Sequence, residues 1–365
     1  MRKQPAPIVR AVTDRLWRRD QAQMKAVGTL LSALTPAHRR TKSARSRDDG
    51  AGATARKATR PRKWAGFRSV LCPIDFSEHS RAALRYAEAV ALRGKAALRV
   101  LYVNDPLLVA AVAATGRDRG LAARSRRELQ QFINATLTPA SRATLRITAH
   151  VSTGNPPDEI LRDADAARAD LIVLGTLGVT GTARIVLGST TLSVLQEAIV
   201  PVLAVPGGVT RPAKSRSTSW PGEWILAALE LDGRAEADVM GSARIAEWFG
   251  SSLMLVHVVD GIAAPSWVTA DLSAHNRIRV AQATHQLDGL AARSRTRVAT
   301  EARVICGRAA DEIAAFAATE RPGLLITRLR ERRGWFGARR GSISYHVLSH
   351  AVAPVLACPP RWQPR

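Results

Sequence analysis

The chain of 365 residues carries a formal net charge of +24 at pH 7, and 46% of its residues are hydrophobic but only 5% aromatic. This length exceeds what one ordinary core needs and suits two domains with extensions. No run of 18 apolar residues and no secretory cleavage pattern occurs, which argues against a membrane span and indicates a cytoplasmic protein.

The three cysteines, Cys72, Cys306 and Cys358, lie far apart in the chain and form no CxxC pair. Cysteines of this kind are typical of small buried side chains in a reducing compartment, so we expect all three to be buried. With no cluster of histidine and cysteine, the sequence indicates no metal site.

Residues 1–67 form a basic N-terminal extension that is dense in Arg and Lys and poor in acids. Blocks of like charge are typical of a solvated, disordered segment. The alternative is nonspecific contact with nucleic acid or with anionic membranes, both of which attract basic residues. Within the extension, apolar residues recur at helical spacing over 12–34 and predict an amphipathic helix with a basic face.

The first folded half begins with an apolar strand over residues 69–75 that ends in Asp75. A helix with one buried face is predicted over 78–93, and we expect Gly94 to stop it as a C-terminal glycine does. A second strand follows over 97–103. Further strands are predicted over 145–152, 169–176 and 202–205, and another helix opens at Asp158.

The second half repeats this order. In both halves a Gly-Ser pair, at Gly188 or Gly341, precedes a Pro-Val-Leu triplet by thirteen positions, which indicates an internal repeat. Strands that alternate with helices predict two tandem, doubly wound, Rossmann-like α/β domains with parallel sheets. The predicted strands of the second half span 224–231, 253–259, 298–306, 323–327 and 355–357, and its first helix spans 235–249.

The repeat sets the domain limits. We place the first domain at 68–206 and the second at 224–361. The segment 207–223 between them is rich in Gly, Pro, Ser and Thr and lacks periodicity, so we predict that it is a linker.

The most specific motif follows the fourth strand. It consists of Gly175, Gly178 and the pair Gly188-Ser189, in the spacing Gly, two residues, Gly, nine residues, Gly-Ser. Glycine lets backbone N–H groups approach a phosphate chain, and the start of the following helix attracts anions. Ser189 and Thr190 add hydroxyl donors. In this position between strand and helix, the motif resembles the nucleotide-binding motif of the universal stress protein family.

This resemblance covers 68–206 strongly and 224–360 more weakly. It implies that the first domain binds ATP or another adenine nucleotide, with or without an accompanying Mg²⁺ ion. It also implies that the strand order reverses between strands one and four. In doubly wound sheets, ligands bind at such a reversal, beyond the carboxyl ends of the strands. Asp75 would then lie at the adenosine end, and the Val103 backbone would contact adenine. The residues assigned to the nucleotide are Asp75, Val103, Gly175, Leu177, Gly178, Arg184, Gly188, Ser189 and Thr190.

Plainer interpretations of these residues stay open. Asp75 could be a turn or N-cap aspartate in front of the helix. Arg184 could reach a phosphate or could be a solvated surface charge. The glycines could belong to an ordinary loop, since motif matches carry false positives.

The second half departs from the motif. Glu230 stands at the place of Asp75, and Thr327 and Arg330 stand where the first two glycines are expected. On this alignment the loop to Gly341 is one residue longer. Side chains there would obstruct a phosphate, so we expect a degenerate site. The alternative is that a basic, aromatic loop binds another anion or a single-stranded nucleic acid. Its residues are Arg332, Arg333, Trp335, Phe336, Arg339 and Arg340.

Three classes of function remain. The resemblance implies a nucleotide-binding regulatory protein of the stress response, which is not an enzyme. The second class is a protein that slowly hydrolyses ATP or transfers its phosphoryl group, and the third is a nucleic-acid or membrane-associated accessory protein recruited by the basic extension. The sequence contains no P-loop motif and no identifiable Ser-His-Asp set, which favours the first class.

The resemblance also implies that the final strands, 202–205 and 355–357, pair with each other. An open strand edge is an aggregation liability, and tandem linkage raises the effective concentration of the second copy. We therefore predict an intramolecular pseudo-dimer and leave open whether it dimerises further.

Overall fold

A computed structural model of the chain describes residues 64–114, 120–176, 187–209, 220–262, 267, 272–294, 298–329 and 343–364. The chain divides into two units, Met1–Arg62 and Lys63–Arg365, and all the described residues lie in the second. The amphipathic helix predicted over 12–34 lies outside the described residues.

Strands and helices alternate in both halves, as predicted. Four helices, Pro106–Ala114, Leu121–Thr136, Pro139–Thr144 and Ser273–Arg293, were not predicted from the sequence and fill the two longest connections. The elements of the first half are β1 (Ser69–Ile74), α1 (Glu78–Gly94), β2 (Ala97–Asn104), α2 (Pro106–Ala114), α3 (Leu121–Thr136), α4 (Pro139–Thr144), β3 (Ile147–Thr153), α5 (Pro156–Ala166), β4 (Leu171–Gly175), α6 (Ser189–Glu197) and β5 (Val202–Val205). Those of the second half are β6 (Trp224–Leu229), α7 (Ala235–Phe249), β7 (Ser252–Val259), α8 (Ser273–Arg293), β8 (Thr300–Cys306), α9 (Ala309–Glu320), β9 (Leu324–Arg328), α10 (Ile343–His350) and β10 (Val355–Cys358).

The described strands form one ten-stranded sheet in the order β3-β2-β1-β4-β5-β10-β9-β6-β7-β8. Pairing is parallel within each half, which confirms the predicted doubly wound sheets. The two halves meet where β5 and β10 pair antiparallel, with Leu356 opposite Leu203. The predicted pairing of the final strands within one chain is therefore present. It covers the edges that β5 and β10 would otherwise leave open.

Both faces of the sheet are covered at its centre, which explains why the central strands β4, β5 and β10 are apolar along their whole length. In β1, Val70 and Cys72 pack into the core that α1 covers, whereas Leu71 packs into the core that α5 and α6 cover. All three side chains are fully buried. Parallel strands buried on both faces read as continuous hydrophobic runs rather than as an alternating pattern.

The end of α1 differs from the prediction. Gly94 is the last helical residue, and Lys95 takes the left-handed conformation, with φ +50°. Gly94 is required for a different reason, because a Cβ there would lie 2.2 Å from the backbone oxygen of Phe67. In the second half Gly250 takes the left-handed position itself, with φ +67°, as expected for a glycine cap.

An aromatic cluster of Trp64, Phe67, Trp248, Phe249 and Trp362 joins the first half to the second. Phe67 meets Trp248 edge-on at a centroid distance of 5.5 Å, and Trp248 meets Phe249 at 4.6 Å. Aromatic pairs at such distances contribute roughly 0.5–1.5 kcal/mol beyond the area that they bury. With only 5% aromatic residues in the chain, the sequence did not predict that so many would gather on the face that carries α1 and α7.

The cysteines confirm two of three expectations. Cys72 and Cys358 are buried, and burial raises the pKa of both thiols well above the ordinary value. Cys306 is exposed instead. It ends β8, which lies at the edge of the described sheet and pairs with β7 on one side only.

Candidate functional site

The site lies where the strand order reverses in the first half. The chain runs outward from β1 to β2 and β3, and then returns to β4 and β5 on the other side of β1. Ile74 is opposite Tyr102 of β2, so Asp75 and Val103 follow side by side at the carboxyl edge. Gly175 ends β4 at the same edge. Strand ends that diverge in this way leave a crevice in which ligands of doubly wound sheets bind.

Asp75 forms a turn at this edge. Its Oδ1 accepts a hydrogen bond from the backbone N–H of Ser77 at 3.1 Å and another from the Ser77 hydroxyl. Ser77 is in turn the N-cap of α1, because its Oγ accepts from the Ser80 N–H at 3.1 Å. The turn interpretation of Asp75 is thus observed, and it fixes the direction of the carboxylate at the mouth of the crevice.

Phe76, between Asp75 and Ser77, was not predicted to matter. Its φ is +63°, a left-handed conformation that is strained for a bulky residue and costs on the order of 1–3 kcal/mol. Its ring packs against Tyr102 at 4.6 Å and against Phe132 of α3 at 5.5 Å between centroids. These contacts hold the strained turn in place beside Asp75. The only sequence signal was an aromatic residue directly after the acid.

The start of α6 presents backbone donors to the same crevice. Gly188 is its N-cap and makes no side-chain cap, while its own N–H donates to Thr176 O at 2.8 Å. The first N–H groups of a helix, here those of Ser189, Thr190 and Thr191, have no intrahelical acceptor. Ser189 is exposed and Thr190 is half-buried. A glycine cap therefore leaves these donors available to an anion.

One contact positions α6 and another lies between β4 and α1; neither was predicted from the sequence. The buried Thr191 hydroxyl donates to Gly175 O at 2.8 Å, which ties the first turn of α6 to the end of β4. A Cβ on Gly175 would lie 3.0 Å from the backbone carbonyl of His79 in α1. Glycine at this position thus also suits the close approach of α1 to β4, in addition to the phosphate approach that we expected. Leu177, Gly178 and Arg184 lie outside the described residues.

The comparison with protein families agrees with this arrangement. The model of the universal stress protein family matches residues 66–206 and again 225–359. The chain belongs to the universal stress protein family. It contains two universal stress protein domains in tandem, as the repeat predicts.

Relatives and solved structures support the assignment. The chain is 31% identical over 139 residues to a universal stress protein of Methanocaldococcus jannaschii and, over the same length, to one of Thermus aquaticus. Each match covers 38% of this chain, and 82% and 98% of the two relatives. A universal stress protein from Archaeoglobus fulgidus superposes with a TM-score of 0.53 at 19% identity and covers 80% of this chain and 98% of its own. This structural likeness supports the fold.

The structure corrects the alignment of the second universal stress protein domain. Gly175 is opposite Val205 in the first domain, and the residue in the same relation to β10 is Arg328, opposite Cys358. The Ser344 hydroxyl donates to Arg328 O at 3.1 Å, as Thr191 does to Gly175 O. Thr327 is therefore not the counterpart of the first glycine.

The loop length must be corrected as well. Counted from Arg328, Gly341 follows after the same interval that separates Gly175 from Gly188, so the loop is not longer. The prediction failed because the alignment was anchored at Thr327, the expected end of the strand, rather than counted back from Gly341. Glu230 is confirmed as the counterpart of Asp75, since Leu229 pairs with His257 as Ile74 pairs with Tyr102. The Arg330 position lies outside the described residues.

Arg328 changes the chemistry of the second crevice. Its guanidinium forms an ion pair with Asp232, and its Nε lies 3.0 Å from Asp238 Oδ2. A crevice beside it is lined in part by Glu230 and His257. The side chain of Arg328 is thus charge-neutralised and occupies the place where the first domain has a glycine. This arrangement offers little to a phosphate, which needs open donors and close backbone approach.

Asp238 makes the stability of the second domain depend on pH. Burial raises its pKa from 3.8 to about 6, even though Arg328 lies beside it. The Arg328 contact satisfies the distance of an ion pair, but Asp238 Oδ2 forms no hydrogen bond. Desolvation therefore raises the pKa of this carboxyl by more than the attraction of the guanidinium lowers it.

We expect Asp238→Asn to reveal this dependence. An acid whose folded pKa exceeds its unfolded pKa destabilises the fold when it is ionised, and this cost disappears as the pH falls through 6 toward 4. As the pH falls from 7.5 to 5, the stability of the wild type relative to the variant should therefore rise. Thermal melts of both proteins across this range measure the difference. A difference in Tm that does not change with pH, or that changes in the opposite direction, would contradict the assignment.

Proposed function

We propose that the first domain binds one adenine nucleotide, ATP or another, and that the protein acts as a nucleotide-dependent regulator in the stress response rather than as an enzyme. The observation that carries the proposal is the glycine-capped start of α6, which faces the switch point of the sheet. Together with the motif around Gly175 and Gly188, it supplies what a phosphate chain requires: uncapped helix donors without side chains in the way.

The residues present fit such a ligand. The phosphates would be held by the backbone N–H groups and hydroxyls of Ser189 and Thr190, with Gly178 and Arg184 contributing from the loop. The adenosine end would lie toward Asp75 and Val103. A Mg²⁺ ion bound with the triphosphate would neutralise part of its charge.

The second domain should leave this nucleotide unbound. Arg328 and its two carboxylate partners, Asp232 and Asp238, replace a glycine with a charged network that is closed on itself. Glu230 adds a further negative charge beside it. Among the residues that the structure describes there, a nucleotide phosphate would meet these three acids, so binding is expected in the first domain alone.

The remaining assignments are proposals of the same kind. The domain limits are 68–206 and 224–361, the linker is 207–223, and the cytoplasm is the expected compartment. The basic extension over 1–67 would make nonspecific contact with nucleic acid or anionic lipid. The pseudo-dimer within one chain could pair further with a second chain.

The test is the stoichiometry and residue dependence of ATP binding, measured by calorimetry. We expect one site per chain. Asp75→Asn keeps an acceptor for the Ser77 turn but removes the charge. The binding free energy of ATP should therefore become less favourable by about 1–3 kcal/mol. The matched change Glu230→Gln should leave affinity unaltered. Two equivalent sites, or equal affinity in the wild type and Asp75→Asn, would contradict the proposal, and release of ADP during the titration would indicate the hydrolase class.

A further inference from the structure

The helix α2 is apolar along its whole length and yet exposed. Its nine residues, PLLVAAVAA, contain no charged or polar side chain, and none of them is buried. Leu107 is 79% exposed and Leu108 is 46% exposed. A helix that is hydrophobic on all sides is normally covered, and exposed apolar surface of this kind marks an interaction site.

Two hydrogen bonds accepted by Asp105 hold the start of α2 in place. Asp105 Oδ1 accepts from the Leu107 N–H at 2.7 Å, and Asp105 O accepts from the Val109 N–H at 3.0 Å. These bonds attach α2 to the end of β2. Because a nine-residue helix has little stability of its own in water, a partner that covers it would contribute strongly.

The surrounding charge limits what the partner can be. Helix α3 begins six residues after α2, and its early turns expose Arg124, Arg126 and Arg127 against a single acid, Glu128. The chain as a whole carries +24 charges, which disfavours a second copy of itself. A nucleic acid would attract the arginines but offers no apolar surface for two leucines. A bilayer with anionic headgroups offers both.

We propose that α2 docks the protein on the surface of an anionic lipid bilayer. Leu107 and Leu108 would enter the boundary between headgroups and acyl chains, while the arginines at the start of α3 contact lipid phosphates. The contact is peripheral: within the part of the chain that the structure describes, no helix has the length and apolarity to cross a membrane. This inference does not depend on nucleotide binding.

The test is sedimentation of the full chain with vesicles, either phosphatidylcholine alone or phosphatidylcholine mixed with phosphatidylglycerol. High salt screens binding through the basic extension but does not weaken apolar insertion. With mixed vesicles at high salt, the double variant Leu107→Glu, Leu108→Glu should bind at least about tenfold less than the wild type. Ile199→Glu is the matched control, since Ile199 is also 79% exposed but lies in the connection before β5. It should bind as the wild type does.

A second variant tests the charge. This triple variant, Arg124→Gln, Arg126→Gln, Arg127→Gln, should bind mixed vesicles with less preference over vesicles of phosphatidylcholine alone than the wild type does. All these positions are exposed, so the melting temperatures should stay the same. Equal binding of the wild type and the leucine double variant at high salt would overturn the proposal. The proposal would also be overturned if the wild type formed an oligomer in sedimentation equilibrium and the leucine double variant did not, because a second copy would then cover α2.

Discussion

Gly188→Asp is expected to abolish nucleotide binding by the first domain and to leave its fold intact. Gly188 is the N-cap of α6 with φ −58° and ψ 147°, an extended conformation in which aspartate is a preferred cap. The new carboxylate would accept the N–H groups that the phosphates need and would repel the phosphates themselves. We expect affinity to fall at least about 100-fold, because charge-assisted hydrogen bonds contribute about 1.5–3 kcal/mol each.

Calorimetry with ATP and a thermal melt of the same variant measure the two effects together. The melting temperature should stay the same or rise, since a capping side chain stabilises a helix by about 1 kcal/mol. The matched control is Gly341→Asp, at the corresponding Gly-Ser pair of the second half, which should not alter binding. Undiminished affinity in Gly188→Asp would show that the nucleotide does not use the start of α6. Loss of affinity in Gly341→Asp alone would place the site in the other domain.

Gly323→Ala is expected to have the largest effect on stability. Gly323 lies just before β9, where the chain crosses Trp220 and Pro221. Its O accepts from Trp220 Nε1 at 2.7 Å, and an added Cβ would lie 1.5 Å from Pro221 O. Because the obstacle is backbone, no side-chain rotation relieves it. We expect the free energy of unfolding to fall by about 3 kcal/mol.

The same substitution elsewhere should have the opposite sign. Gly289 lies inside α8, and a Cβ there would make ordinary contact with Arg293 Nη1 at 3.6 Å. Gly289→Ala should therefore stabilise the protein by up to about 1 kcal/mol through helix propensity. Denaturant unfolding of both variants against the wild type decides the comparison. Destabilisation of similar size at the two positions would mean that the Pro221 contact is not what requires glycine at 323.

Much of the fold was predictable because its signals are local or repeated. Buried parallel strands read as apolar runs, so β1, β2, β4 and the others were located to within a few residues. The Gly-Ser and Pro-Val-Leu spacings revealed the tandem repeat. The resemblance that rested on the same motif implied the reversal at β1 and the pairing of β5 with β10, and both are observed.

Part of the candidate site was predictable in the same way. The places of Asp75, Val103 and Gly175 at one sheet edge follow from strand order, since parallel strands end together. Their contact with a nucleotide remains a proposal. The turn that Asp75 makes with Ser77 was one of the alternatives left open, because an aspartate before a helix start suits both roles.

Other features depended on contacts between residues far apart in sequence. The counterpart of Gly175 is Arg328 because β9 pairs with β10 in a register that places Arg328 opposite Cys358, and the predicted end of the strand was one residue too early. Gly94 and Gly323 are required by the neighbouring backbones of Phe67 and Pro221, and Gly175 lies in tight contact with the backbone of His79. Sequence identifies a glycine but not the chain that packs against it.

The sequence by itself therefore determined the two α/β domains, their order and the position of the phosphate motif, since these follow from hydrophobic period and repeated spacing. Only the tertiary structure decided which side chains meet across and around the junction of the domains. The aromatic cluster brings Trp64 and Trp362, from opposite ends of the described residues, together at a centroid distance of 6.2 Å, and Trp64 also meets Trp248. The apolar helix α2 is exposed although its composition alone would place it in a core. Burial is a property of the packed chain, because it depends on neighbours that the linear order does not specify.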